Sequence, residues 1–200
     1  MLGITAQQAA RMMGDNFISV DEMESLLAYH FEPWRLKALE YPKIEAATLN
    51  MYKNTHILVP TSPASISHLK RDLPRIFLSG ETPSWYCDEY FAQKTEEITR
   101  WQLIRKEPHP KSFGKILLEE VELLGPHERV PYAREVVPAM AAYFLKTGEK
   151  LFNETWVRCA DEPLLGLRVS VCFDRDGITI GTAFNRWGKE FLGIASSIPC

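Results

Sequence analysis

Apolar and polar positions alternate with period two over two neighbouring runs near the end of the chain. In residues 168–173, Val169 and Val171 alternate with Arg168, Ser170 and Cys172. In residues 178–184, Ile178 and Ile180 alternate with Thr179 and Gly181. That period sends one set of side chains inward and the other outward, as in a half-buried strand. Asp174-Arg175-Asp176-Gly177 between them is a turn signal, and Gly177 can take a positive φ. The pattern predicts a hairpin whose outward face carries Ser170, Cys172, Thr179 and Gly181. Residues 183–191 then run without a clean period, mixing aromatics, Asn, Gly and both charges. They read as an irregular exposed loop before a last short strand, 192–196. Aromatic anchors among small polar residues on a rigid frame are also what binding loops are made of. The plainer alternative tucks Phe184 and Trp187 into the core.

Upstream, the spacing changes to that of helices. Thr5 caps a short helix over 6–13 that closes at Gly14, and Ser19 or Asp21 caps a second that runs to about Tyr29. Residues 57–59 are a short strand ending at Pro60, residues 65–72 one or two helical turns, and residues 88–97 a polar helical stretch. Residues 101–106 alternate as a strand. Ser112 is read as the cap of a helix over 113–124 whose inner face is Phe113, Ile116, Leu117, Val121 and Leu124. Pro131 is placed at the first position of a helix over 132–146, ended by Gly148, with Pro138 inside it as a potential kink. The fold class is therefore α+β: two helices on a small, twisted, mostly antiparallel sheet in residues 85–200, with a helical and irregular N-terminal extension over residues 1–84. A boundary over residues 79–84 is conceivable, although two domains are not required by it.

Composition narrows the function. A chain of 200 residues can bury a real core without staples. Its 23 basic and 26 acidic residues give a net charge of −3, so there is no electrostatic case for nucleic acid as a partner. There is no secretory pattern at the start and no apolar run near membrane-spanning length, so a cytoplasmic location is the default expectation and no membrane segment is expected. The four widely spaced cysteines, Cys87, Cys159, Cys172 and Cys200, read as buried or idle thiols, although Cys159 and Cys172 lie on strands that could be neighbours.

One resemblance sharpens this. The run G-E-K-L-F-N-E-T-W-V-R-C-A-D over residues 148–161, then G-L-R-V-S-V over 166–171, D-R-D-G-I over 174–178 and L-G-I-A-S-S over 192–197, resembles the C-terminal part of the variable proteins of diversity-generating retroelements. W-Q-L-I-R-K at 101–106 and E-R-V-P at 128–131 extend the likeness upstream. Membership in that prokaryotic family implies a C-type-lectin-like fold. It also implies a gene whose end, coding here for about residues 160–197, is rewritten by error-prone copying at adenines. The positions where such proteins vary fall on Leu165, Leu167, Ser170, Thr179, Gly181, Thr182, Ala183, Asn185, Arg186, Trp187, Lys189, Glu190 and Phe191. Their fixed partners fall on Val169, Val171, Ile180, Phe184, Leu192, Gly193 and Ile194. Trp187, Lys189 and Glu190 cannot arise from an AAC codon by changing its adenines, so they come from other codons or are fixed. The resemblance implies a non-enzymatic protein that binds a ligand, in the first instance another protein, with no cofactor and no metal.

Catalytic patterns are weak. His127-Glu128 lacks the second His of a zinc helix, and the five histidines show no ligand spacing. No glycine-rich phosphate loop or nucleophile elbow occurs. The turn at Asp174 lacks the distal Glu of a calcium loop. Glu162-Pro163 is followed by Leu164, so the sugar-binding triplet of calcium-dependent lectins is missing. The competing hypothesis is a small-molecule enzyme or carbohydrate-binding domain with His127, Glu128 or Asp161 in a cleft.

Overall fold

The structure is a computed structural model that describes residues 4–78 and 84–200. Its helices are α1 (Ala6–Met13), α2 (Val20–Leu27), α3 (Pro33–Ala38), α4 (Ala46–Tyr52), α5 (Ile66–Asp72), α6 (Tyr90–Gln93), α7 (Leu117–Val121) and α8 (Ala133–Thr147). Its strands are β1 (His56–Pro60), β2 (Trp101–Arg105), β3 (Trp156–Arg158), β4 (Leu167–Asp174), β5 (Gly177–Phe184), β6 (Leu192–Ile194) and β7 (Ser197–Pro199). The result is a mixed α+β architecture with two small sheets, ordered β1-β2-β7 and β5-β4-β3-β6. All pairings are antiparallel except β3 with β6.

The N-terminal half is woven into the first sheet. β1 pairs with β2 along its whole length, and Phe17 stacks on Trp101 with ring centroids 5.2 Å apart. One cluster of buried side chains runs from Ala9 through Leu58 and Met140 to Ile198. The expected extension thus contributes a strand and part of the core. Residues 79–83, where a boundary was conceivable, lie outside the described residues. Sequence capping set the first helices: Thr5 and Ser19 each close a capping box, with Gln8 and with Glu22.

α8 is the central pillar, packed against α2 on one side and against β4 and β5 on the other. The Glu135 carboxylate accepts the Tyr132 N–H (2.9 Å), and Asp161 accepts that of Ala133 (2.6 Å), so the start of the helix is capped from two directions. Tyr132 is the N-cap residue, so Pro131 stands one residue before the cap and not at the first helical position. The helix runs on through buried Pro138 to Gly148, which adopts the left-handed conformation with φ 76°.

Two expectations are corrected. The helix over 113–124 contracts to the five residues of α7, and Ser112 is no cap: its hydroxyl donates to the His109 carbonyl (2.7 Å) and accepts the Ile194 N–H (3.1 Å). Phe113, Ile116 and Val121, expected to face inward, are exposed. The stretch 88–97 is helical only over α6, and the last strand divides into β6 and β7.

Candidate functional site

The hairpin forms as its alternation predicts, with Ser170 opposite Gly181 and Cys172 opposite Thr179. Val157, Val169, Val171 and Ile180 are buried on the α8 side. The other face is not open to solvent along its length. β3 adds beside β4 in a register that lays Trp156 and Arg158 on that face, next to Cys172 and Ser170. Ser170, Cys172, Thr179 and Ala183 on this face are buried all the same. The expectation of an outward, solvated row of Ser170, Cys172 and Thr179 is therefore corrected. Alternation reports which face a residue is on, but what packs over that face decides its exposure.

What remains open is the end nearest the loop. Gly181 is half-buried and faces the Trp156 indole, so a Cβ added there would sit 3.1 Å from the ring. Arg186, Lys189 and Glu190 are exposed, Trp187 is 41% exposed and Phe191 59%. Thr182 is exposed too, but it pairs with Val169 and so belongs to the row of the opposite face, which corrects its expected place beside Thr179 and Gly181. Asn185 and Leu167 are half-buried, and Leu165 is 97% exposed at the tip of the turn joining Leu164 to Leu167. Between Trp156, Trp187, Phe191 and Leu192 lies a cleft of about 140 Å³, with Ser170 and Gly181 at its base. Seven of the thirteen candidate residues line it: Ser170, Gly181, Thr182, Ala183, Trp187, Lys189 and Phe191. Trp156, which forms one wall, was missed because in sequence it belongs to an ordinary strand; only the register with β4 brings it over Gly181.

The loop from 185 to 191 is irregular but held. Trp187 N–H bonds the Phe184 carbonyl (3.0 Å) and Leu192 N–H bonds that of Lys189 (3.1 Å), giving two successive turns. The Asn185 backbone is clamped on both sides, donating to Gly166 (2.9 Å) and accepting from Leu117 (2.8 Å). Gly114 N–H bonds the Lys189 carbonyl (3.0 Å). At Gly188 the loop comes so close to this segment that a Cβ would overlap the Gly114 carbonyl. Gly114 and Leu117 thus brace the loop through their N–H groups, and the helix begins only at Leu117.

From below, the loop rests on a buried cation. Arg158 is fully buried, and its Nη2 donates to the carbonyls of Phe184 (3.3 Å) and Trp187. Its Nη1 lies 2.6 Å from the Glu120 carboxylate, which is also fully buried. Apart from Arg158, neither Glu120 oxygen has a polar partner among the described residues. Burial pushes the Glu120 carboxyl up to about 7, against the opposing pull of Arg158.

The residues of the competing cleft are dispersed. His127 borders a different pocket with Met51 and Cys200, Glu128 caps Gly125 (2.8 Å), and Asp161 caps α8 while pairing with Arg134 (3.5 Å). Burial raises the Asp161 carboxyl above its ordinary range, although the Ala133 N–H and Arg134 pull it down. Among the described residues no three His, Cys, Asp or Glu side chains are grouped so as to hold a metal ion, and no helix is long and apolar enough to cross a membrane. All four cysteines are free thiols; Cys159 follows β3 and bonds Val169 through its N–H (2.8 Å), next to the row opposite to that of Cys172.

No family model matches the chain, and searches of curated proteins and of solved structures likewise return no match.

Proposed function

We propose that this protein is a non-enzymatic ligand-binding scaffold whose surface from Leu165 to Phe191 is the binding face, rewritten by a diversity-generating retroelement. The supporting observation is the convergence of seven candidate residues on one cleft, walled by the exposed rings of Trp187 and Phe191. Large aromatics such as Trp, together with Arg, are enriched among the residues that dominate binding energy at protein interfaces. The frame under them is fixed: strands β3 to β6, the buried Arg158 and the brace from 112 to 117 hold the loop through backbone contacts that side-chain changes leave intact. A C-type-lectin-like connection of these elements, with a protein as the ligand, is the finer form of the proposal.

The test is a display library. Randomising Leu165, Thr182, Arg186, Trp187, Lys189, Glu190 and Phe191 and selecting on unrelated proteins should give binders that melt close to the parent. A library of equal size at Lys43, Thr48, Met51 and His127, around the separate pocket, should give none. Equal yields from the two, or none from the first, would overturn the reading. The genetic half predicts a reverse-transcriptase gene nearby and a near-copy of the codons for residues 160–197.

A further inference from the structure

We propose that the cleft beside Gly181 is an anchor pocket that takes one aromatic side chain of the ligand with a carboxylate next to it. This rests on reading the surface as a binding face, and adds what chemistry the face accepts in this particular sequence.

Size comes first. The cleft holds about 140 Å³, near the roughly 150 Å³ of an apolar cavity that accommodates benzene. Its walls are the rings of Trp156, Trp187 and Phe191 and the side chain of Leu192. Aromatic walls favour an aromatic guest through offset or edge contacts. The depth depends on residue 181: with glycine the Trp156 ring is uncovered, and a Cβ would stand 3.1 Å from it and 3.7 Å from the Ser170 hydroxyl. Gly181 is therefore the specificity-determining position, and any larger residue there closes the floor.

Charge gives the second half. The Lys189 ammonium lies 5.9 Å from the Trp187 ring centre, and the Arg186 guanidinium 5.6 Å from that of Phe184. Neither cation enters an ion pair among the described residues, and the loop carries one carboxylate, Glu190. Lys189 lines the cleft, and Arg186 stands on the same loop over Phe184, whose ring centre is 4.8 Å from that of Trp187. Two cations against one anion complement a carboxylate beside the buried ring, which fixes orientation more than affinity.

Titration of the whole protein with N-acetyl-Phe-Asp-amide, followed through the five tryptophan indole N–H resonances, tests this. Trp156 and Trp187 should shift saturably while Trp34 and Trp101 stay in place. N-acetyl-Ala-Asp-amide should shift neither. N-acetyl-Phe-Asn-amide should bind roughly two- to fivefold more weakly, the size of one exposed ion pair, and Lys189→Gln with Arg186→Gln should erase that difference. Gly181→Val should abolish the titration. Should that variant fold poorly, Phe191→Ala, at an exposed site, should weaken binding of the Phe probe without moving Trp34 or Trp101. Unmoved Trp156 and Trp187 resonances, equal response to the Ala probe, or an unaffected Gly181→Val would overturn the anchor pocket. If the loop library still yields binders in that event, only the anchor fails and the binding-face proposal stands.

Discussion

The guanidinium of Arg158 lies 2.6 Å from the carboxylate of Glu120, and neither side chain has any exposure to solvent. The pair joins the middle of the second sheet to α7, and from its other nitrogen Arg158 holds the carbonyls of Phe184 and Trp187. A buried pair of this kind is a poor source of net stability, since desolvation offsets much of the Coulomb attraction. Its contribution here is placement. It grips the backbone of a loop whose side chains are free to differ.

Breaking the pair on one side should therefore be costly, and replacing both sides should not. At pH 8, where the parent pair is charged, Arg158→Met leaves the Glu120 carboxyl unpartnered in the interior, to stay as a buried charge or to take up a proton, and should cost about 3–5 kcal/mol. Arg158→Met with Glu120→Leu should recover most of that loss. Yet the double variant still lacks donors for the Phe184 and Trp187 carbonyls, so amide exchange in residues 185–191 should be faster than in the parent. Urea melts and hydrogen exchange check both halves. Exchange as slow as in the parent would mean that the loop is held without Arg158.

The same pair makes stability depend on pH. The folded Glu120 carboxyl sits at about 7, above its ordinary value of 4.5, chiefly because burial disfavours its charged form. Between those values the folded chain keeps a proton that the unfolded chain has released. The contribution is thus fully present below 4.5 and is lost as pH rises through 7. At about 1.36 kcal/mol per unit, it amounts to roughly 3 kcal/mol at most. His56 opposes it in part. Burial and the nearby Arg105 depress its folded value to about 3, so its contribution is present above the ordinary 6.5 and is lost as pH falls from there toward 3. Comparing Glu120→Gln with the parent removes the His56 effect, because it is common to both. The variant should show a flatter decline in unfolding free energy from pH 5 to pH 8, and parallel curves would count against the assignment.

Tolerance to substitution should follow the observed burial and not the simple alternation. Val171→Ala and Ile180→Ala remove buried methyl groups under α8 and should cost about 2–4 kcal/mol. Thr182→Ala, Arg186→Ala and Lys189→Ala, at exposed sites, should stay within about 0.5 kcal/mol. Thr179 belongs nearer to the first group: it is only 9% exposed, so Thr179→Asp should destabilise strongly by burying a charge. Denaturant melts of these six variants decide the matter, and a Thr179→Asp variant as stable as the parent would restore the solvated face.

The hairpin was legible because two alternating runs around an Asp-Gly turn admit one pairing, and the observed register keeps Val171 opposite Ile180. The start and end of α8 were legible to within a residue or two from local signals. What could not be read were the contacts made by backbone across long stretches of sequence. Phe113, Ile116 and Val121 have helical spacing, yet Gly114 at φ 74° interrupts the helix and the segment bonds the loop at Lys189 and Asn185. Trp156 and Arg158 alternate around Val157 as any strand would. Only their alignment with β4 makes one a wall of the cleft and the other the support beneath it.

At Gly188 the shape of the loop can be changed without changing the side chains that face the ligand. Gly188 meets the Gly114 carbonyl so closely that no Cβ fits between them without moving one backbone. Gly188→Ala should therefore lift the loop from its brace, lengthening the Gly114 to Lys189 hydrogen bond and shifting Trp187, whose carbonyl Arg158 holds from beneath. The expected cost is about 1–3 kcal/mol, typical of overpacking at a close contact. Leu165 is a control from the same surface: Leu165→Ala, at a site that is 97% exposed, should leave stability and loop alike unchanged. The readout is the Trp187 indole resonance together with the melting curve. If Gly188→Ala leaves both where they were, the loop tolerates displacement, and the fixed frame invoked for a diversified surface is not what holds it.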